Sequence, residues 1–458
     1  MRPFEILSLI LLSGSLFALV KEKNRDLFLY LLFASTVSTI LQYLIEGLRW
    51  QLLPAIYLLP TIFIVYKFYY KNNISIFLEI LLLCWLFFAI FIPWAVPVFT
   101  LPEPGGEHYV GTETFHWIDS TRKEWFTVKD MHDKREIVVQ AWYPSKEKPN
   151  TKSQPYMDFI KLRAQTLSSA GGIPSIFPSH LNRIKTNSYK NLKCIKTDML
   201  LPVLVFSHGI TGSRHLHQAL FEYLASRGYV VLAPNHSFDS NLTIFPDGRT
   251  AEYRSDITGH PDSVLIREKQ INTRSLDIHF IIKKLNKINN GVIPSSLVGN
   301  LDLNRIALGG HSFGGATAIL SSHNNKAIGA CFVLDGWMNP IPSSVIKSGL
   351  QAPFMSVGRP SWLDSGYPDN YTKLDTLVLY SLETNYNIII NNTRHLDYTD
   401  IPLLSPIIRF FMEVGSLSSK KSIPLVNELV YGFLEKHFSK NNLDILDNVL
   451  KNRNVVNR

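Results

Sequence analysis

Charge is scarce in this chain. Only 18% of its 458 residues are Asp, Glu, Lys or Arg, too few for a charge-laced coiled coil or a purely soluble, charge-rich protein. Cysteine is scarcer still: Cys84, Cys194 and Cys331 lie far apart, so neither a disulfide framework nor the close pairing of a zinc or redox site is available. Arg-rich arms, basic-aromatic runs, internal repeats and low-complexity tracts are also missing, which argues against nucleic-acid binding. The net charge of +9 is thinly spread and suits a weak attraction to anionic lipid or acidic substrates. What the chain does have is apolar residues, 46% of the total, enough for membrane helices and a large folded domain besides.

The apolar residues crowd the N-terminus in four stretches, about 3–20, 27–45, 50–66 and 74–99. A helix needs ~20 apolar residues to cross the hydrocarbon core. The second stretch is free of charge over 19 residues and Ile80 to Leu101 over 22. The first contains Glu5 and has a cleaved signal peptide as its alternative; the third carries Pro54 and Pro60 and reads as a kinked span or a re-entrant segment. Lys21, Lys23 and Arg25 lie between the first two spans and Lys67 and Lys71 between the last two, whereas no Lys or Arg follows span four until Arg122. The positive-inside rule puts the two basic loops in the cytoplasm and everything after residue 101 outside the cell membrane.

At Pro102, Pro104, Gly105 and Gly106 the texture changes to that of a linker, so residues 1–101 are expected to form a transmembrane region and 102–458 one globular domain. Glu136–Tyr143 reads as a strand, 150–198 as irregular. Apolar strands then alternate with helices: strands at Pro202–Ser207, Tyr229–Ala233, Arg305–Leu308, Ala330–Leu334, Pro353–Val357 and Asn387–Ile390, helices at Leu216–Ser226, about Asp262–Asn289, Gly314–Ser322 and Ile423–Phe438. Continuous apolar strands of this kind belong to a mostly parallel sheet covered by helices on both faces, an α/β fold.

One motif carries chemistry. Gly310-His-Ser312-Phe-Gly314-Gly315 directly follows the apolar run Ile306-Ala-Leu308 and precedes a helix start rich in small residues. A serine on a strained strand-to-helix turn needs small neighbours on either side, and the turn lifts its hydroxyl off the sheet. The Phe313 amide and the helix dipole then favour negative charge beside it. Serine also needs a base, and the base an acid to orient it. In the α/β-hydrolase fold that this turn marks, these follow in the order Ser, acid, His. His395, in the polar loop after the strand Asn387–Ile390, is the expected base; His323 ends the elbow helix and His437 lies in the C-terminal helix. Asp335, Asp364, Asp369, Asp375 and Glu383 are the acid candidates; Asp335 leads because it ends the strand after the elbow helix, and Asp364 competes from beyond the next strand. Val203–Ile210, an apolar strand ending in Ser-His-Gly-Ile, offers the Ile210 amide as second oxyanion donor. This reading requires the Ser312 hydroxyl to enter a water-accessible cleft within reach of His395.

Ser207-His-Gly-Ile210, the elbow, Leu334-Asp-Gly-Trp-Met338, Arg394-His395, Val110-Gly-Thr112 and Trp142-Tyr-Pro144 together resemble the platelet-activating factor acetylhydrolase family of the plasma and intracellular type II class, over about residues 102–415. The resemblance implies an α/β-hydrolase with Ser312 as nucleophile, Asp335 as acid, His395 as base, and Ile210 and Phe313 as oxyanion amides. It also implies calcium-independent removal of short or oxidised sn-2 acyl chains from phospholipids, with no metal or organic cofactor. The four spans depart from the plasma enzyme. Alternatives are a broad-scope esterase acting on other esters and a non-catalytic membrane scaffold. Residues 161–196 contain seven Lys/Arg and no acid around Gly171-Gly-Ile-Pro-Ser-Ile-Phe-Pro178, the pattern of a lid touching anionic lipid.

Overall fold

The computed structural model describes residues 1–22, 24–69, 74–127, 130, 132–172, 174–254, 260–439 and 444–458. Contacts group the chain into two units, one of Met1–Thr100 with Ser168–Ile184 and Leu403–Ile408, the other of Leu101–Leu167, Lys185–Pro402 and Arg409–Arg458.

The first unit holds four helices, α1 (Pro3–Phe17), α2 (Arg25–Leu41), α3 (Leu53–Tyr69) and α4 (Ile76–Ala95). With their flanking turns, all four are long and apolar enough to cross a membrane. The third apolar stretch is one continuous helix through Pro60. The charge in the first stretch is matched: Glu5 and Arg49, both fully buried, form a two-pronged ion pair at 2.8 and 2.9 Å, and Arg49 also donates to the carbonyls of Pro93 and Val96. A buried carboxylate is tolerated in apolar surroundings when it is paired and hydrogen-bonded in this way. Lys23 and Lys71, two of the five basic loop residues, lie outside the described residues.

The second unit is built on a ten-stranded sheet. In chain order its elements are β1 (Tyr109–Lys123), β2 (Lys134–Ser145), α5 (Ile160–Gly171, of which the part up to Leu167 belongs to this unit), β3 (Ser188–Lys190), β4 (Leu201–Ser207), α6 (Gln218–Ala225), β5 (Val230–His236), the small hairpin β6 (Leu242–Ile244) and β7 (Thr250–Glu252), α7 (Ser263–Asn289), β8 (Leu301–His311), α8 (Phe313–His323), β9 (Ala330–Leu334), α9 (Ser343–Ser348), β10 (Phe354–Gly358), α10 (Asn370–Tyr380), β11 (Asn385–Ile390), α11 (Ser419–Phe438), α12 (Ile445–Val449) and β12 (Val455–Asn457). The sheet order is β12-β11-β10-β9-β8-β4-β5-β2-β1-β3. Strands β11 to β5 in that order are parallel; β2 and β12 join antiparallel.

Alternation along each strand divides the core. Val203, Val205, Ile306 and Leu308 face α7 and α8 on one side, whereas Leu204, Phe206, Phe332 and Leu334 face α6 and α11 on the other. The parallel-sheet expectation is met. Two parts differ from the sequence reading. Residues 150–198 are not wholly irregular, because Ile160, Ala164 and Leu167 recur at helical spacing in α5 until Gly171-Gly172 ends it. The 15-residue β1 was not evident, since Glu113, His116 and Asp119 interrupt its apolar residues, and pairing with β2 makes it a strand.

Of the basic segment 161–196, the part Ser168–Ile184 belongs to the helical unit. There the Phe177 carbonyl accepts from Trp50 Nε1 at 3.1 Å and Arg183 donates to the Glu46 carbonyl at 3.1 Å. Ile173 lies outside the described residues.

Candidate active site

The sheet order turns at β4 and β8: the chain proceeds from β4 to β5 on one side and later lays β8 on the other. Loops leaving the carboxyl ends of such strands diverge and leave a crevice, the usual ligand position in open α/β sheets. Ser312 follows β8, and Ile210 follows β4.

Ser312 has φ 56° and ψ −120°, a conformation that a non-glycine residue holds only when its surroundings enforce it. The enforcing contacts are close. A Cβ on Gly310 would stand 2.1 Å from the Gly314 carbonyl oxygen, and one on Gly314 would stand 2.0 Å from the Ser207 carbonyl oxygen, so only glycines let α8 turn back onto the end of β4. The serine's N–H donates to the Leu334 carbonyl at 3.1 Å, and its own carbonyl accepts from Gly315, Ala316 and Trp337. Ser312 is buried, 6% exposed, rather than set in the water-accessible cleft that the sequence reading required, because the Gly209 loop and the Trp337 turn both close on it.

Asp335 ends β9, also at positive φ (44°), and is 1% exposed. One carboxylate oxygen accepts from the Arg359 N–H at 3.1 Å and from Trp362 Nε1 at 3.2 Å. The other meets His395 Nδ1 at 2.5 Å. A carboxylate can only accept, so the imidazole proton sits on Nδ1 and Nε2 is left as the basic nitrogen. His395 packs between the edge-on Trp362 ring at 5.5 Å and the His311 ring at 4.7 Å, while His311 Nε2 donates to the His395 carbonyl at 2.9 Å. Burial pushes His311 well below the usual histidine range, with the His395 and His217 rings adding to it, so His311 is a neutral support. From the far side the loop is tied by Leu396 N–H to the Glu413 carbonyl, and Glu413 pairs with Arg359 at 3.2 Å.

The structure thus brings Asp335 to His395, and leaves Asp364 on an exposed turn. His323 Nδ1 faces the Gly349 carbonyl, and His437 packs on Phe433. The Gly209 loop lies against the elbow, close enough that a Cβ there would be 3.4 Å from Ser312 Cβ. Among the described residues no acceptor takes the backbone N–H of Ile210 or Phe313. Sequence reasoning missed His311, Arg359 and Trp362. His311 was visible inside the elbow motif, whereas the other two reach Asp335 from the loop after β10 and left no local signal.

A second Ser-His-Asp series lies nearby. Ser207 Oγ meets His236 Nε2 at 2.9 Å, and His236 Nδ1 meets Asp277 Oδ2 at 2.9 Å. All three are at most 1% exposed, so no substrate reaches them. Burial pushes His236 down to about 4, which keeps it neutral. Burial opposes ionisation of Asp277, but Arg135 at 2.6 Å holds its carboxyl well below the usual range.

Three comparisons bear on the family and the fold. The family described as platelet-activating factor acetylhydrolase, isoform II, matches residues 97–455. The chain is 29% identical to a platelet-activating factor acetylhydrolase of Gallus gallus over 280 residues, covering 54% of this chain and 65% of that relative, and 23% identical to one of Canis lupus familiaris, covering 77% and 81%. A probable 1-alkyl-2-acetylglycerophosphocholine esterase of Arthroderma benhamiae is 24% identical over 250 residues, covering 52% of this chain and 59% of that one. In structure, a ferulic acid esterase from Streptomyces cinnamoneus superposes with a TM-score of 0.63 at 24% identity, over 79% of this chain and 99% of the other, which establishes the α/β-hydrolase fold. With a match that takes in the sheet, the elbow and the His395 loop alike, the chain belongs to the platelet-activating factor acetylhydrolase, isoform II, family.

Proposed function

We propose that this protein is a membrane-anchored, serine-dependent carboxylic ester hydrolase that removes short or oxidised sn-2 acyl groups from phospholipids through an acyl-enzyme. The observation that carries the reading is the 2.5 Å contact of His395 with Asp335, taken together with a serine held at positive φ on the elbow; the names of the relatives supply the lipid substrate class.

Ser312 Oγ attacks the acyl carbonyl as His395 Nε2 takes its proton, and Asp335 stabilises the imidazolium. The N–H groups of Ile210 and Phe313 receive the oxyanion. The lyso-lipid alkoxide leaves with the proton returned by His395, and water repeats the sequence to free the acid. The protein's own residues account for each proton, so no metal or organic cofactor takes part. Lys21, Arg25 and Lys67 at the ends of the apolar helices support, by the positive-inside rule, a hydrolase on the outer side of the cell membrane.

Ser312→Ala is expected to abolish labelling by a fluorophosphonate probe while leaving expression intact; persistent labelling overturns the assignment. Turnover of sn-2 acetyl over sn-2 palmitoyl phospholipid identifies the lipid activity, and preference for p-nitrophenyl esters over both would make this a broad-scope esterase.

A further inference from the structure

The loop after β4 is held by side chains. Gly209 C=O and Ile210 N–H belong to one planar trans peptide unit, so a contact that fixes the carbonyl also fixes the N–H, which points the opposite way. Three donors reach that carbonyl, His208 Nδ1 at 2.7 Å, the Gly212 N–H of the loop's own turn at 3.1 Å and Arg274 Nη2 at 3.5 Å. The carbonyl can only accept, so His208 carries its proton on Nδ1, leaving Nε2 to accept from the His236 N–H at 3.3 Å. Burial, with Arg274 and His236 adding to it, holds His208 well below the usual histidine range, in keeping with this neutral tautomer.

Arg274 spans more than one peptide unit. It rises from the middle of α7, 1% exposed, and its Nη1 donates to the His208 carbonyl at 2.6 Å. Its Nε is paired with Asp239, whose other carboxylate oxygen is taken by Gln270, one turn earlier on the same face of α7. The guanidinium face lies over the Phe313 ring at 4.6 Å. One planar group therefore touches both loops whose amides flank Ser312. Lysine lacks this geometry, since its ammonium cannot serve two carbonyls, a carboxylate and a ring in one plane.

We infer that Arg274 is a positioning residue for the oxyanion hole, setting the direction of the Ile210 N–H through the Gly209 carbonyl and seating Phe313 through its ring. This rests on the reading of Ser312 as nucleophile and of the Ile210 and Phe313 amides as oxyanion donors. Arg274 touches carbonyls and a ring rather than reacting atoms. Its effect is therefore confined to the state in which negative charge has developed on the substrate oxygen, and substrate binding is left alone.

The test uses the full-length protein in detergent or bilayer discs, with active sites titrated by a fluorophosphonate so that rates refer to competent enzyme. For Arg274→Gln, kcat on p-nitrophenyl acetate falls by roughly 30- to 300-fold with KM within about 3-fold, the range expected when one oxyanion donor is lost or misaimed. Inhibition by a trifluoromethyl ketone, which binds as a tetrahedral oxyanion, weakens in parallel with kcat/KM, and Arg274→Lys falls between the two. A kcat within about 3-fold of the parent, with only the melting temperature lowered, overturns the inference and leaves Arg274 a structural staple. If the glutamine variant does not fold, the lysine variant decides by the same split between kcat and inhibitor affinity. Ser312→Ala run alongside separates the two failures: retained hydrolysis there sinks the nucleophile reading, whereas a dead Ser312→Ala with fully active Arg274 variants sinks this inference alone.

Discussion

At the scale of single residues, the site turns on one nitrogen, Nε2 of the half-buried His395, and several groups whose task is to keep it aimed. Asp335→Asn replaces an acceptor by a group that also donates, which disfavours the Nδ1–H tautomer. A loss of kcat of about 10³- to 10⁴-fold is expected, read on p-nitrophenyl acetate with KM little changed. Another carboxylate, Asp400, matters through its proton. Burial pushes Asp400 up to about 7, against hydrogen bonds from the Gln218 and Ala219 amides and the Tyr156 hydroxyl. The folded state thus binds this proton more tightly than the unfolded chain, whose aspartates titrate near ~4. The stability it adds is complete below about pH 4 and lost as pH rises through about 7. Asp400→Asn therefore lessens the fall of melting temperature between about pH 4 and 7. The slope is reduced rather than abolished, because Glu222 is also raised to about 7 by burial.

At the scale of elements, the elbow depends on glycines where backbones nearly touch. Gly314→Ala drives a methyl group onto the Ser207 carbonyl, forcing α8 away from β4 and separating the two loops that flank Ser312. Probe labelling should fall by at least about 100-fold, and a variant that labels at the parental rate would contradict the close approach. In the helical unit the comparable joint is the pair Glu5–Arg49. Glu5→Ala leaves the fully buried Arg49 guanidinium without its carboxylate partner, a change that costs about 3–5 kcal/mol; a lower melting temperature or failed accumulation in the membrane is the expected readout. The elements themselves were largely legible: β4, β9 and α8 follow from apolar runs and small-residue starts. β1 and β12 were not, because β1 is interrupted by polar residues and the three residues of β12 become a strand only by pairing with Ile388–Ile390.

At the scale of the whole molecule, the topology proposed from the basic loops is open to direct test. A cysteine at the exposed Lys193 should react with a membrane-impermeant maleimide on intact cells, and one at Arg25 only after permeabilisation; the reverse pattern would place the hydrolase inside. The sequence alone determined the features that depend on near neighbours in the chain. These are the four apolar helices, whose length and lack of charge are local, and the strained Gly-His-Ser-Phe-Gly turn, whose glycines must lie two positions from the serine. The order Ser312, Asp335, His395 was open to sequence reasoning because each stands at the end of a recognisable strand or in the loop after one. Only the tertiary structure decided which carboxylate meets the imidazole, since Asp335 and Asp364 both follow strands and only the sheet register and the loop through Trp362 turn Asp335 toward His395. It alone revealed Arg274 as well. An arginine in a long helix has the same local signature whether it faces solvent or, as here, bonds to backbone carbonyls some 65 positions earlier, because burial and hydrogen-bond partners arise from the packing of distant segments and leave no trace in the spacing of neighbours.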